Sequence, residues 1–216
     1  MPVITLSRQF GAAGGSIGRT VAERFVAEFL DRRIIALLAE RSGIPEREAE
    51  GYDERLPGLW QRIAAAFAST AGEPVVPPIE VPVLPGPAMQ ERMARLTRAI
   101  IEEAASSGNA VIVGRGGAFI LGRREDTLNV QLHASLDDRV GYLVARVEEI
   151  PDETRPDDDA LRELCRSIDA ARERYLRRHF RVDWNDARHY DLSLDTGRLG
   201  LSGTVNLIEA AARGRS

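Results

Sequence analysis

A glycine-rich turn near the start of the chain separates an apolar segment from an amphipathic one, and this pairing constrains the fold. The apolar segment is residues 3–6, and the turn lies in SRQFGAAGGSIGRT, residues 7–20. Beyond the turn, apolar side chains recur at the spacing of one helix face. They are Ile17, Val21, Ala22, Phe25, Val26 and Phe29. The pattern predicts a strand, a tight turn and a helix, which is a unit of α/β domains.

The alternation of strand and helix patterns continues along the rest of the chain. Strand-like runs occupy residues 110–113, 127–134 and 190–196. Helical patterns occupy residues 34–41, 46–54, 59–69, 89–106, 137–147, 161–180 and 203–212. The prolines of residues 71–87 prevent a regular helix or central strand, so we expect an irregular excursion inside one domain. The order of elements predicts an α/β fold with a mostly parallel sheet.

Both glycine-rich turns follow predicted strands. One follows residue 6, and the other follows residue 113 in AVIVGRGG. In open parallel sheets, ligands bind beyond the carboxyl ends of the strands. We therefore expect the two turns to lie at the ligand-binding edge of the sheet.

The composition limits the functions that this domain can have. Its 216 residues, 44% of them hydrophobic, suit a single domain, and no apolar run approaches a membrane span. We expect no secretory leader, no internal disulfide from the single Cys165 and no metal cluster from three separated histidines. A net charge of -4 disfavours general nucleic-acid binding. A cytoplasmic location is expected, and the oligomeric state is open.

The chain contains no lysine, so all 29 residues counted as lysine or arginine are arginine. This bears on a dinucleotide-binding interpretation of the first turn, in which Asp31, 20 residues beyond Gly11, would hold a ribose. The glycines do not fit G-x-G-x-x-G, and the Tyr-x-x-x-Lys of short-chain dehydrogenases is impossible here. That interpretation is disfavoured. A tight corner that only permits strand–helix packing is another interpretation.

A phosphate-binding turn is the interpretation that the physics of helix ends favours. Backbone N–H groups at a helix N-terminus, together with the helix dipole, attract anions. Ser16 offers a hydroxyl for Mg²⁺, and Arg8 or Arg19 could supply the positive charge that lysine usually brings.

Four segments of the sequence resemble the cytidylate kinase-like family, a divergent branch of the P-loop nucleoside monophosphate kinases. They are ITLSRQFGAAGGSIGRTVAERF, DRRIIALLAERSG, AVIVGRGG and RVDWNDARHYDLSLDTGRL. The resemblance covers most of the chain and is least supported over residues 70–88. It implies a three-layer α/β/α P-loop NTPase fold in one domain, residues 1–216. An NMP-binding insertion at 32–107, with the proline-rich loop 71–87, and an arginine-rich lid at 155–185 are also implied.

The resemblance implies which residues hold ATP. The implied phosphate loop is Gly11, Ala12, Ala13, Gly14, Gly15 and Ser16. Ser16 is also the implied Mg²⁺ ligand. Ordinary cytidylate kinases have their lysine at the position of Gly14 and their first loop glycine at the position of Arg8. Arg8 is therefore the expected catalytic cation, and Asp195 and Arg198 are expected near the adenine.

Three further residues are implied at the acceptor nucleotide. Asp31, after a strand or a helix end, resembles the acid that contacts the nucleoside, with helix capping or a surface role as the alternative. Arg33 is a candidate phosphate ligand, with a solvated surface arginine as the alternative. Arg115 in VGRGG resembles the arginine of the family's GRD turn. Gly116 replaces the acid of that turn, which counts against a metal-positioning role.

The helix at 161–180 carries the implied lid arginines. Asp169 and Arg172 match the D-x-x-R of the kinase lid. The other candidates on this helix are Arg166, Arg177 and Arg178. Arginines that a closing lid delivers neutralise charge in the transition state and exclude water. A solvated helix face with ion pairs is the alternative.

These residues imply a kinase that transfers the γ-phosphoryl group of ATP, with Mg²⁺, to a nucleoside monophosphate. The partner is then a small-molecule nucleotide, and CMP, dCMP and other acceptors are open. A catalytically inactive nucleotide-binding or regulatory protein on the same fold is the alternative. The missing lysine and the altered GRD turn favour the alternative, whereas the arginine-rich lid and Ser16 favour the kinase.

Overall fold

The computed structural model describes residues 2–31, 33–44, 87–147 and 156–215. The helices expected at 46–54 and 59–69 lie outside the described residues, as does the proline-rich stretch up to residue 86. Among the described residues, no helix is both long enough and apolar enough to cross a membrane.

The described strands form one five-stranded sheet in the order β2-β3-β1-β4-β5. Its strands are β1 (Val3–Arg8), β2 (Glu28–Leu30), β3 (Ala110–Val113), β4 (Thr127–His133) and β5 (Leu192–Asp195). Each neighbouring pair is parallel. This order confirms the predicted parallel α/β sheet and puts the carboxyl ends of β1 and β3 side by side.

Seven α-helices of the described residues connect and cover these strands. They are α1 (Gly14–Phe25), α2 (Arg33–Ser42), α3 (Pro87–Ser107), α4 (Gly117–Leu121), α5 (Leu136–Val147), α6 (Asp158–Phe180) and α7 (Thr196–Arg213). A short 3-10 helix, Ala187–His189, precedes β5. Each helix expected from the apolar spacing is present wherever it falls on described residues, although the end of α1 and the start of α7 differ from the prediction, and the five-residue α4 was not expected.

The apolar side chains of the central strands alternate between two cores, as the two-residue period of a strand requires. Ile4 and Leu6 of β1 pack with α1 and α7 on one face of the sheet. Val3 of β1 and Ile112 of β3 pack with α2, α3 and α4 on the other face. A third cluster joins α5 to α6. Helices on both faces of a buried parallel sheet give the predicted three-layer α/β/α arrangement.

The apolar spacing predicted that α1 continues through Phe29, and this is wrong. The helix ends at Phe25, and Val26 adopts a left-handed conformation with a φ of 51°. The Asn109 side-chain amide donates to the Val26 carbonyl oxygen at 2.9 Å. Phe29 then pairs with Val111 in the sheet. Because a valine stands where glycine usually ends a helix, the sequence carried no stop signal.

The last strand and helix also differ from their expected bounds. β5 starts at Leu192 rather than residue 190, because the Tyr190 N–H bonds to the Ala187 carbonyl oxygen of the 3-10 helix. α7 starts at Thr196 and not at residue 203, with Asp195 as its N-cap. Gly200 interrupts α7 with a φ of 66°, which explains why the continuous helical pattern begins after it.

Candidate active site

The turn after β1 is shaped by two left-handed residues, Gly11 with a φ of 82° and Ala13 with a φ of 56°. Helix α1 then begins at Gly14, and no side chain caps its first turn. Glycine is required at Gly11 for a further reason, since a Cβ there would lie 2.9 Å from the Arg139 Cβ. An uncapped helix start after a glycine turn is the arrangement that binds anions.

The Arg8 side chain runs from the first glycine turn to the second. Its Cγ and Cβ lie 2.7 and 2.9 Å from the position that a Cβ on Gly14 would take. Its Cζ lies 2.7 Å from the corresponding position on Gly114, so both glycines make room for it. The Arg8 side chain is 16% exposed, and its Nη2 lies 4.0 Å from Asp31 Oδ1. One guanidinium is therefore held between the two turns.

Asp31 and Arg33 follow β2 but differ in their surroundings. Asp31 Oδ2 lies 3.5 Å from the position that a Cβ on Gly15 would take, so this carboxylate borders the first turn of α1. Arg33 has a side chain that is 60% exposed and forms an ion pair with Glu28 at 2.8 Å. The structure thus brings Asp31 to the glycine turn, and the role expected for Arg33 stays a prediction.

The turn after β3 contains three consecutive left-handed residues, Gly114, Arg115 and Gly116, with φ of 78°, 57° and 70°. A left-handed residue other than glycine costs about 1–2 kcal/mol, so packing must hold Arg115 in place. Arg115 is buried, with 8% of its surface exposed. A Cβ on Gly116 would lie 2.6 Å from Cε2 of Phe180, so the end of α6 covers this turn.

The arginines of α6 fall into two environments. Arg172 is buried, and its Nη1 donates to the Arg8 carbonyl oxygen at 3.0 Å. Arg166 is exposed and pairs with Glu163 at 3.8 Å. Arg177 is exposed and pairs with Glu173, and Arg178 is also exposed. Arg172 therefore contacts the backbone just before the first glycine turn, and the lid roles of all four arginines stay predictions.

Sequence reasoning missed Arg139, which the structure places under the first turn. Arg139 Nη1 donates to Asp169 Oδ2 at 2.6 Å and to the Phe10 carbonyl oxygen at 3.2 Å. Asp169 Oδ1 also accepts the Phe10 N–H at 2.8 Å. Burial raises the pKa of Asp169, while the Phe10 N–H and the two guanidiniums act against that rise. The Ser135 N-cap could have located the start of α5, but no sequence signal singles out Arg139.

A pocket of about 190 Å³ opens beside the first turn. Its lining residues are Gly11, Ala13, Ala134, Asp138, Tyr142, Thr196, Gly197, Gly200 and Leu201. The start of α7 thus lines this pocket, and the adenine-end role expected for Asp195 and Arg198 stays a prediction. The pocket is lined by Thr196 and Gly197, whereas Arg198 is exposed and donates its backbone N–H to the N-cap Asp195 at 3.2 Å.

Ser16 connects the first glycine turn to this pocket. Its Oγ lies 2.9 Å from the Tyr142 hydroxyl, and Tyr142 lines the pocket. In the parts of the chain that the structure describes, no cluster of at least three His, Cys, Asp or Glu side chains could hold a metal ion. The Ser16 hydroxyl is the oxygen that the sequence singled out for Mg²⁺.

The carboxyl ends of β1 and β3 thus bring together two glycine turns, Arg8 and Arg115, with Asp31 at their border. A model of the cytidylate kinase-like family matches residues 3–198. The chain belongs to the cytidylate kinase-like family. The resemblance found in the sequence motifs is thereby confirmed across nearly the whole chain.

Two curated proteins share shorter segments with this member of the family. A 109-residue segment, 50% of the chain, is 30% identical to a cytidylate kinase from Methanothrix thermoacetophila. A 123-residue segment, 56% of the chain, is 32% identical to a uronate isomerase from Corynebacterium glutamicum. The matches span 58% and 22% of these two relatives, which is less than two thirds of either.

Solved structures with the same fold match the chain over almost its full length. An uncharacterized protein from Eubacterium ventriosum has a TM-score of 0.67 and 16% identity, and the match covers 99% of both chains. A shikimate kinase from Bacteroides thetaiotaomicron has a TM-score of 0.50 and 17% identity, with 98% of both chains covered. At such identities the likeness bears on the fold alone, which is that of the P-loop kinases.

Proposed function

We propose that this protein is a nucleotide kinase that transfers the γ-phosphoryl group of ATP to a nucleoside monophosphate such as CMP or dCMP. The observation that carries the proposal is the position of Arg8. Its side chain fills the space above Gly14, where the lysine of ordinary cytidylate kinases would start, and reaches Gly114 of the second turn. A cation therefore lies between the turns although the chain has no lysine.

The phosphate loop, residues 11–16, would hold the ATP phosphates through its backbone N–H groups and the N-terminus of α1. Phosphoryl transfer depends on positioning and on neutralising the charge that spreads over the transferred group, without a covalent intermediate. Arg8 would act on that charge from a largely buried position, where electrostatic interactions are stronger than in water.

Ser16 fits the ion that accompanies ATP in this fold. A hydroxyl oxygen is the kind of ligand that Mg²⁺ accepts, and Ser16 lies in the first turn of α1, next to the proposed phosphates. Tyr142 holds the Ser16 hydroxyl at 2.9 Å. When bound at Ser16, Mg²⁺ would supply charge neutralisation for the ATP phosphates.

The pocket beside residue 11 is the proposed site of the ATP base. Tyr142 and Leu201 offer ring and aliphatic surface, and Gly197 lets the Asp138 carboxylate pack against the start of α7. A concave, mostly apolar recess next to a phosphate loop is the usual form of a nucleotide site.

The acceptor would bind on the opposite side of Arg8. Asp31 lies against the loop at Gly15 and would accept a hydroxyl hydrogen of the acceptor sugar. The acceptor phosphate would bind to Arg115 and Arg33. When α6 closes over the site, its exposed arginines would also bind this phosphate; they are Arg166, Arg177 and Arg178. The proposal includes a cytoplasmic location, where both nucleotides are available.

A nucleotide-binding protein without transfer activity is the second candidate. The lysine-free loop and Gly116, which replaces the acid of the GRD turn, favour it. It shares the loop and pocket with the kinase and differs only in turnover.

Calorimetric titration with ATP and with CMP, each with Mg²⁺, followed by assays of ADP release, separates the two candidates. ADP should appear only when an acceptor is added, and CMP, dCMP, UMP and AMP tested in turn rank the acceptors. ATP binding without acceptor-dependent ADP supports the second candidate. If neither nucleotide binds, the phosphate-loop assignment of residues 11–16 is wrong.

A further inference from the structure

A buried cluster of three charged side chains lies beneath the first glycine turn. Asp169 and Arg172 come from α6, and Arg139 comes from α5. The Arg139 and Arg172 side chains are 9% exposed, and that of Asp169 is 15% exposed. The shortest distance between Asp169 and Arg139 is 2.6 Å, and Asp169 lies 3.5 Å from Arg172.

This cluster contacts the backbone at three points just before the phosphate loop. The Arg8 carbonyl oxygen accepts from Arg172 at 3.0 Å. The Phe10 N–H donates to Asp169 at 2.8 Å, and the Phe10 carbonyl oxygen accepts from Arg139 at 3.2 Å. The segment that leads from β1 into Gly11 is therefore held by side chains of two different helices.

We propose that Asp169, together with Arg139 and Arg172, positions the phosphate loop and couples its geometry to α6. This inference rests on the proposed function and departs from the expectation that Arg172 contacts substrate phosphates. Its Nη1 donates to the Arg8 carbonyl oxygen and its side chain is buried, which favours a role for Arg172 through the loop. Asp169 joins both arginines and one N–H, which makes it the centre of the cluster.

The energetics favour a positioning role over general stabilisation. Buried ion pairs contribute little net stability, because desolvation offsets their attraction. Arg139 even leaves its buried Nε without a hydrogen-bond partner among the described residues, which is a further cost. What this costly arrangement fixes is the direction of the Phe10 peptide groups, directly before Gly11.

The same contacts would couple the acceptor-binding side of the site to the ATP-binding side. Helix α6 carries the exposed arginines proposed for the acceptor phosphate as well as Asp169. A movement of α6 displaces Asp169 and Arg172 and therefore acts directly on the backbone of Arg8 and Phe10. Binding of one nucleotide would then alter the affinity for the other, and the coupling must be reciprocal.

The test compares Asp169→Asn with Arg162→Ala. Arg162 of α6 forms an ion pair with Asp137 of α5 at 3.0 Å, so it also joins the two helices but does not contact the loop. Asp169→Asn keeps an oxygen for the Phe10 N–H and loses the charge that holds both arginines. Because the uncharged variant could also fail to fold, Arg172→Lys serves as a second variant that keeps a charge.

ADP binding, measured by calorimetry, is the first readout. Asp169→Asn and Arg172→Lys should weaken ADP binding about tenfold, as expected for the loss of a charge-assisted hydrogen bond that fixes the site. CMP should change the ADP affinity of the wild-type protein and of Arg162→Ala more than that of Asp169→Asn. Unchanged ADP affinity in both test variants would overturn the proposal.

Amide hydrogen exchange of residues 9–16 is the second readout, and it needs no nucleotide. Exchange there should be faster in Asp169→Asn than in Arg162→Ala, with equal exchange in the strands. Equal loop exchange in the two variants would contradict the positioning role. If the wild-type protein binds no ADP, the proposed function fails, while this comparison still decides whether the cluster holds the loop.

Discussion

The stem of Arg8 occupies the space in which a side chain on Gly14 would begin, with its Cγ 2.7 Å from that Cβ position. The side chains at these two positions therefore compete for the same space, so a large side chain at one position excludes a large side chain at the other. In ordinary cytidylate kinases the lysine stands at the position of Gly14 and a glycine at that of Arg8. In this chain the cation approaches the loop from the end of β1 instead.

Replacement of Gly14 alone should disturb this arrangement. We expect Gly14→Ala to lower the free energy of unfolding by about 1–3 kcal/mol, because the new Cβ overlaps the Arg8 stem. Chemical denaturation measures the loss. Gly15→Ala is the matched control, since its Cβ would meet only Asp31 Oδ2 at 3.5 Å, an ordinary contact. Equal losses in the two variants would show that Arg8 does not fill the space above Gly14.

The hydrogen bond between Ser16 and Tyr142 should appear as an energetic coupling. Tyr142→Phe and Ser16→Ala each remove one partner of the 2.9 Å contact, and each should cost about 1 kcal/mol of stability. The double variant should cost less than the sum, because the same bond is lost only once. A double-mutant cycle from denaturation curves gives the coupling. Strict additivity would mean that the two hydroxyls act independently.

Any side chain at Gly116 should destabilise the protein. Its φ of 70° is unfavourable for alanine, and a Cβ would lie 2.6 Å from the Phe180 ring. We expect Gly116→Ala to lower the free energy of unfolding by about 2 kcal/mol or more, from strain and overpacking together. Gly108→Ala isolates the strain, since Gly108 has a φ of 67° with open space around it. The prediction fails if both variants lose the same stability.

Tyr190 should make the stability depend on alkaline pH. Burial raises the pKa of Tyr190 to about 12, although a hydrogen bond from Ser7 acts against the rise. The folded pKa is above the unfolded value of about 10, so the native state favours the protonated phenol. This contribution is complete below about pH 10 and is lost as the pH rises through the folded pKa.

Absorbance of phenolate during an alkaline titration tests the Tyr190 prediction. Tyr190→Phe should remove the last ionisation step and reduce the loss of stability over the same pH range. Tyr190 also donates to the Trp184 carbonyl oxygen at 2.7 Å, so denaturation at neutral pH is needed as the reference. Identical titration curves for the variant and the wild-type protein would contradict a raised pKa.

Local patterns in the sequence were sufficient for most of the fold. The strand predicted at 110–113 agrees with β3 at both ends, because its apolar run lies between Asn109 and Gly114. The end of α1 could not be predicted, since Val26 stands in the left-handed position that glycine usually takes, and one of its contacts comes from Asn109, which is distant in sequence. Local apolar patterns therefore predicted most strands and helices, and the elements that differ from the prediction are those whose ends depend on tertiary contacts.

The candidate site was predicted less completely than the fold. The positions of the two glycine turns and of Arg8 could be predicted, because tight turns require glycine and because the absence of lysine leaves arginine as the available cation. Arg139 could not be found, since one more arginine in a chain of 29 basic residues carries no mark of its position. Likewise, the D-x-x-R spacing identified Asp169 and Arg172 as candidates. It could not predict that they contact the backbone before the first glycine turn, because that depends on the packing of α6 against the loop.

Transfer of the cation back to its usual position tests the central claim most directly. Acceptor-dependent ADP release is measured for Arg8→Ala, for Arg8→Gly with Gly14→Lys, and for the surface control Arg95→Ala. Arg8→Ala should lose about 100-fold in turnover, as for a group that stabilises charge in the transition state, while Arg95→Ala should not. The double variant should recover much of that loss, because a lysine at Gly14 restores a cation beside the loop. Wild-type turnover in Arg8→Ala would contradict the account.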